Sequence, residues 1–177
     1  MTDKPQLNPE LRLERTAQGE LLVMPPTGGE TSKRNFDLIV AIGVWARQDN
    51  SGIAFDSSGG FILPNSALRS PDVAWIKRSR LEGLTAEQKR KFIPLCPDFV
   101  LELRSPTDSL RALQGKMQEY IDNGAQLGWL IDPEAKRVYV YRPDSPVECL
   151  ERPAEISADP VLAGFVLDLR TFWGTVL

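Results

Sequence analysis

Histidine is missing from all 177 residues. No imidazole can serve as base, nucleophile or metal ligand, so zinc hydrolases of the HExxH type and histidine-based nucleases are excluded. Cysteine is nearly as scarce. Cys96 and Cys149 are too few for a disulfide framework or a thiolate metal cage. No apolar run approaches the roughly 20 residues that cross a bilayer, and MTDKPQLNPE has no apolar signal segment. A reduced, cytoplasmic protein without membrane partners is the expectation. An excess of positive charge is absent too: 21 basic against 24 acidic side chains give a net charge of −3. The chain as a whole is therefore not coated for nucleic acid, although a local basic groove remains compatible with that balance.

What remains is an ordinary globular composition, 42% hydrophobic and 25% charged, at a length suited to one domain with a sizeable core. LRLERTAQGELLVMPP alternates apolar and polar residues about Ala17-Gln18-Gly19, which predicts an N-terminal β-hairpin over residues 11–24. From Glu30 to Arg47, Phe36, Ile39, Val40, Gly43 and Val44 recur at helical spacing and predict an amphipathic helix with these residues as its apolar stripe. Short strands are predicted over residues 52–56, 60–63 and 70–77. Thr85-Ala86-Glu87-Gln88 has capping-box spacing for a short polar helix to Lys91. A strand over 98–104 precedes a second long helix, 109–123, closed by Gly124. Strands 128–132 and 137–141 flank a turn at Pro133-Glu134-Ala135-Lys136, and a last strand covers 165–169. The order predicts an α+β or mixed α/β fold.

One residue resists that bland reading. In PDFVLELRSPTD, Glu102 interrupts a strand that is otherwise apolar on both faces. An uncompensated buried carboxylate is costly and takes a cation, a metal or a proton. Arg104, two residues on and on the same face, is one candidate partner. Asp98 shares the face as well, but four residues at 3.3 Å each put it about 13 Å away, too far to share one ion. The second proline–aspartate pair, in SPDVAWI, opens another apolar strand. If the two strands pair, Asp72 and Glu102 converge. On the helix 109–123, Lys116 lies about 60° from Leu113 and about 40° from Tyr120, at the border of the apolar stripe. It either snorkels to solvent or points its ammonium toward Glu102. Two carboxylates and a lysine are a kit for metal-assisted phosphodiester hydrolysis.

GGETSKRNFDLI, SPDVAWI, PDFVLELRSPTDS, K-x-x-x-Y and WLIDPEAKRVYVYRPD, in that order, resemble the Uma-type putative restriction endonuclease family, part of the PD-(D/E)XK nuclease superfamily. The resemblance covers residues 25–143, with an echo in GFVLDLRTFW. It implies a restriction-endonuclease-like core, a mixed β-sheet flanked by helices, with the hairpin and the strand 165–169 added at either end. It further implies Asp72 and Glu102 as ligands of Mg²⁺ or Mn²⁺, completed by the main-chain carbonyl of Leu103, and Glu30 as an accessory acid. The lysine of the superfamily signature, two residues after the second acid, is Arg104 here. Arginine stays protonated, so the lysine's work falls to Lys116, with Gln114 and Tyr120 as supporting groups. DNA is the implied substrate and a homodimer the implied assembly.

The segment KRSRLEGLTAEQKRK carries Lys77, Arg78, Arg80, Lys89, Arg90 and Lys91 against two acids. It is either a solvated surface or a track for a phosphate backbone. Two other readings stay open. One is a catalytically silent nuclease-like fold that binds nucleic acid or protein, with Arg104 neutralising Glu102. The other is a two-carboxylate glycosidase, which the core-like setting of Trp75, Trp129 and Trp173 disfavours.

Overall fold

The computed structural model describes residues 12–177. Leu11, at the predicted start of the hairpin, lies outside the described residues. β1 (Arg12–Arg15) and β2 (Leu21–Met24) pair antiparallel through a turn in which Gly19 takes a φ of 91°. α1 (Gly29–Asp49) follows, then β3 (Gly52–Asp56), β4 (Phe61–Ile62), β5 (Leu68–Arg69) and β6 (Val73–Lys77). Two short helices, α2 (Arg78–Glu82) and α3 (Ala86–Arg90), lead to β7 (Phe99–Leu103), α4 (Leu110–Asp122) and β8 (Leu127–Asp132). β9 (Arg137–Tyr141), β10 (Glu148–Glu151), β11 (Glu155–Ser157) and β12 (Val166–Asp168) complete the described chain.

The principal sheet has the order β10-β9-β8-β7-β6-β3, and only β7 and β8 run parallel. A parallel pair needs a crossover, and α4 supplies it. Ser109 caps that helix by accepting from Ala112 N–H, and Gly124, at φ 113°, turns the chain back into β8. A smaller sheet, β2-β1-β5-β4, carries the hairpin against the segment that leads into β6. The fold class expected from the residues and the resemblance, a mixed sheet flanked by helices, is the one observed. The predicted capping box is present: Thr85 and Gln88 exchange side-chain and backbone hydrogen bonds at the start of α3. Strands β5, β10 and β11 and helix α2 were not predicted; each is only two to five residues long and carries little periodicity.

Alternation along the strands separates two cores. Phe99, Leu101 and Leu103 face α1 with Val73, Trp75 and Trp129, and the C-terminal segment adds Phe165, Leu167 and Trp173 to that side. Val100, Ala74 and Leu130 face α4, where Met117 and Tyr120 cover them. The core thus draws on residues well beyond Pro143.

The apolar stripe expected on α1 is corrected. The buried line is Thr31, Arg34, Leu38, Ile42 and Ala46, while Phe36, Val40 and Val44 are exposed. The reason is Arg34. Its guanidinium donates to the carbonyls of Phe172 and Gly174 and pairs with Glu30, so a charged residue occupies a buried position that helical periodicity assigns to solvent.

Two glycines distinguish crowded from open backbone. A Cβ on Gly52 would collide with the Trp75 ring and the Ile76 carbonyl, whereas one on Gly43, in α1, meets nothing within 4 Å. Gly52→Ala should destabilise the protein by about 1–3 kcal/mol, and Gly43→Ala should stabilise it by about 0.5–1 kcal/mol. Urea unfolding midpoints of the two variants check both signs.

Candidate active site

The register of β6 against β7 does the assembling. Val73 faces Leu101, Ala74 faces Val100 and Trp75 faces Phe99. One step further along the same register brings Asp72 opposite Glu102. The Leu103 N–H donates to Asp72 Oδ2 at 2.8 Å, which fixes that carboxylate at the end of β7. Both acids are buried, at 8% and 4% exposure.

Helix α4 returns over this end of the sheet. Lys116 and Tyr120, one turn apart, both donate to Glu102 Oε1, Lys116 Nζ at 2.7 Å and the Tyr120 hydroxyl at 3.0 Å. Lys116 is therefore buried rather than snorkelling. The border position leaves both directions open, and the carboxylates on the inner side hold it there.

A third acid, which sequence reasoning missed, completes the group. Glu14 of β1 accepts from Lys116 Nζ at 2.7 Å, from the Ser70 N–H at 2.9 Å and from Arg69 at 3.3 Å. Alternation in RLER assigns Glu14 to a polar face, yet Glu14 is 1% exposed while its neighbour Leu13 is only half-buried. The available signal was the same as for Glu102: an acid within a strand whose surroundings are not solvent. Arg12, two residues earlier on the same face, donates to the Ser70 carbonyl at 2.6 Å and lies 3.7 Å from Asp72. The hairpin is thus a wall of the site.

The electrostatics follow from this crowding. Burial pushes the Glu102 carboxyl up to about 7, only partly opposed by Lys116 and aided by the charges of Asp72 and Glu14. Burial likewise raises Asp72, against the Leu103 N–H and the cations Lys116 and Arg12. Glu14 is also penalised by burial, but Lys116, Ser70 and Arg69 outweigh that and hold it below the usual range. Burial disfavours the Lys116 ammonium, but Glu102 and Glu14 together raise its pKa above the ordinary lysine value. Lys116 is therefore a fixed cation and not a base. Cys96 is no nucleophile either, since burial pushes its thiol up to about 12.

A cleft of about 510 Å³ opens over Asp72 and Glu102, walled by Arg12, the Pro25–Glu30 turn, Asn35 and the Ser105–Asp108 turn. Glu30 lies in this wall, paired with Arg34. Gln114 is half-buried and bonds to no described residue of the site. The pairing of Glu102 with Arg104 is corrected. Continuing the β7–β8 register past Leu103 and Ile131 sets Arg104 beside Asp132, and Asp132 is fully buried and takes the guanidinium at 2.8 Å. Arg104 also donates to the Asp108 carbonyl, and Lys116 fills its expected place at Glu102.

The basic segment sits elsewhere. Lys77 ends β6 at the opposite end from Asp72, about 16 Å away for five strand residues. Arg80 pairs with Asp98 at 2.9 Å, Arg78 bonds to Asn50 and Lys91 bonds to Glu87. Lys89 and Arg90 are exposed on α3, and none of the six basic residues lines the cleft. Asp98, held by Arg80 and the Lys77 N–H, is an ordinary structural acid.

The model of the Uma2 family, described as putative restriction endonuclease, matches residues 2–170. The chain belongs to that family. A similar solved structure is a putative nuclease belonging to DUF820 from Anabaena variabilis ATCC 29413. It has a TM-score of 0.80 at 22% identity and covers 93% of this chain and 91% of its own, so the two share a fold. No curated protein matches the chain. No helix among the described residues is long and apolar enough to cross a membrane.

The residues present fit a hard divalent cation. Among the described residues no three His, Cys, Asp or Glu side chains form a metal-holding group; Asp72 and Glu102 are the two buried carboxylates that line the cleft, and their oxygens are of the kind such a cation takes. Both of Glu102's hydrogen bonds fall on Oε1, and Oε2 accepts none from a described residue. Around them four carboxylates (Glu14, Asp72, Glu102, Glu119) share three cations (Arg12, Arg69, Lys116).

The raised Glu102 pKa has a sign that can be measured. Between its ordinary 4.5 and about 7, the unfolded chain releases this proton while the folded protein keeps it. Stability in EDTA should therefore fall as pH rises through that window, by at most about 1.4 kcal/mol per pH unit for one proton. Glu102→Gln should flatten the slope in urea titrations at pH 4.5–7.5.

Proposed function

We propose that the chain is a divalent-metal-dependent endonuclease hydrolysing phosphodiester bonds of DNA. The observation that carries this reading is the register that sets Asp72 opposite Glu102 with the Lys116 ammonium 2.7 Å from Glu102. Asp72 and Glu102 would hold Mg²⁺ or Mn²⁺, joined by the main-chain carbonyl of Leu103, with Glu30 in the cleft wall as an accessory acid. The ion supplies Lewis acidity toward the phosphoryl oxygens and a lowered pKa for bound water.

The chain's own groups do the positioning. The Leu103 N–H orients Asp72, and Tyr120 and Lys116 fix the Glu102 carboxylate through Oε1. Lys116 stays protonated and spends two of its three donors on Glu14 and Glu102. The third is left for the attacking water or a non-bridging phosphate oxygen, where a fixed positive charge favours the transition state over the ground state. Arg12, beside Asp72, adds positive charge to the cleft wall. Cutting both strands of a duplex calls for two such sites, so a homodimer of the 19.8 kDa chain is the assembly proposed. The exposed Lys77, Lys89 and Arg90 then serve as a second, distant backbone contact.

The silent-fold reading draws on one observation: Asp72 faces Arg12 and Glu102 faces Lys116, so each acid has a protein cation. Cleavage decides between them. Supercoiled plasmid with Mg²⁺ or Mn²⁺ should be nicked or linearised by the native protein. Asp72→Ala and Glu102→Ala should abolish this, and Lys116→Met should lower kcat by about 10²–10³-fold. Cleavage that survives both acid substitutions sinks the assignment.

A further inference from the structure

Lys116 presents a problem that the proposed reaction does not solve. An ammonium at hydrogen-bond distance from a metal-ligand carboxylate competes with the metal for that carboxylate. Left with Glu102 as its only anion, a buried lysine would settle across both carboxylate oxygens, since a desolvated charge maximises its contact with its counter-ion. In the structure Lys116 pairs with Glu102 at Oε1, no hydrogen bond from a described residue falls on Oε2, and the ammonium is shared with Glu14 Oε1 at an equal 2.7 Å.

Glu14 is built to hold that position. It is 1% exposed, and the Ser70 N–H at 2.9 Å and Arg69 at 3.3 Å fix both of its oxygens. Arg69 is itself held by Glu119 at 2.6 Å. The Ser70 contact ties Glu14 to the backbone two residues before Asp72, so the anchor for the lysine and the first acid share one short piece of chain. From the hairpin, 102 residues away in sequence, Glu14 is the side chain that gives Lys116 a second counter-ion.

We propose that Glu14 is a positioning residue: it draws the Lys116 ammonium to one edge of Glu102, so that Glu102 Oε2 stays open for a divalent cation. The inference rests on the endonuclease reading for the identity of the two metal-holding acids. Nothing in the Asp72, Glu102 and Lys116 arrangement alone calls for an acid on the hairpin.

The test is calorimetric titration of the native protein, Glu14→Gln, Lys116→Met and the double variant with Mn²⁺ alone. Glu14→Gln keeps the acceptor for Ser70 but removes the charge that holds Lys116. It should weaken Mn²⁺ binding 10- to 100-fold, the size of an outer-shell effect. Adding Lys116→Met to Glu14→Gln should restore Mn²⁺ affinity to at least the native value, because the competing ammonium is gone. Plasmid cleavage in that double variant stays lowered by about the 10²–10³-fold expected of Lys116→Met. A purely structural Glu14 would make the double variant bind no better than the single. Should Glu14→Gln fail to fold by circular dichroism, Glu14→Asp, which withdraws the charge by one methylene, carries the same comparison. Native-like Mn²⁺ affinity in the Glu14 variant, or a double variant weaker than the single, overturns the inference while leaving the metal site standing. A native protein that takes up no Mn²⁺ overturns the metal site and this inference together.

Discussion

The site depends on one ammonium held by two carboxylates. Three acids, Glu14, Asp72 and Glu102, meet at one end of β6 and β7, each largely withdrawn from water. Without a central cation their mutual repulsion and desolvation would protonate or separate them. Lys116 satisfies Glu14 and Glu102 at once, and this joins three parts of the chain that are distant in sequence: the hairpin, the end of β7 and the second turn of α4. Burying such a triad contributes little net stability, because desolvation offsets most of the attraction. What it supplies is position, since no partner can leave without stranding a buried charge.

The arrangement also divides the titration of the site between its acids. Glu14 receives a backbone N–H, a guanidinium and the ammonium, and lies below the ordinary carboxylate range. Glu102, fully desolvated and facing two other acids, rises to about 7. Two carboxylates that touch the same lysine thus differ in the charge they carry near neutral pH. The one with the raised value is the one that lines the cleft.

Much of this was legible in the chain, and the part that was not has a common cause. Glu102 was visible because an acid in a doubly apolar strand contradicts its surroundings. Asp72 rests on the condition that its strand pairs with that of Glu102, and the angle of Lys116 on the helix leaves both solvent and Glu102 within its reach. Each of these arguments uses local periodicity plus one pairing assumption. Glu14 needed more. The period-2 pattern of RLERT puts Glu14 on the face opposite Leu13, but it does not reveal that β1 joins β5, with Arg15 beside Leu68, and so turns that face inward. The stripe on α1 failed for the same reason: Arg34 is buried by carbonyls 138 and 140 residues away. Arg104 was read as a neighbour of Glu102 along its own strand, whereas Asp132 on the adjacent parallel strand claims it. Side-chain periodicity assigns a residue to a face; only tertiary pairing decides what covers it.

Lys116 reaches Glu102 from a helix and not from the strand that carries Glu102. A lysine two residues after Glu102 would have its direction fixed by the pleat of β7 and the hydrogen bonds of the sheet. From α4, four methylenes must reach across to the strand, and ordering that chain costs about 1.5–2 kcal/mol of side-chain entropy. Glu14, fixed by the Ser70 backbone and Arg69, orders the ammonium between two anions, itself and Glu102, which lines the cleft. Arg104, free of this task, is used instead to neutralise Asp132 at the end of β8, where a lysine could not also donate through Nε to the Asp108 carbonyl and brace the turn that starts α4. Arg104 and Glu14 thus each settle a buried charge of opposite sign, Arg104 that of Asp132 and Glu14 that of Lys116.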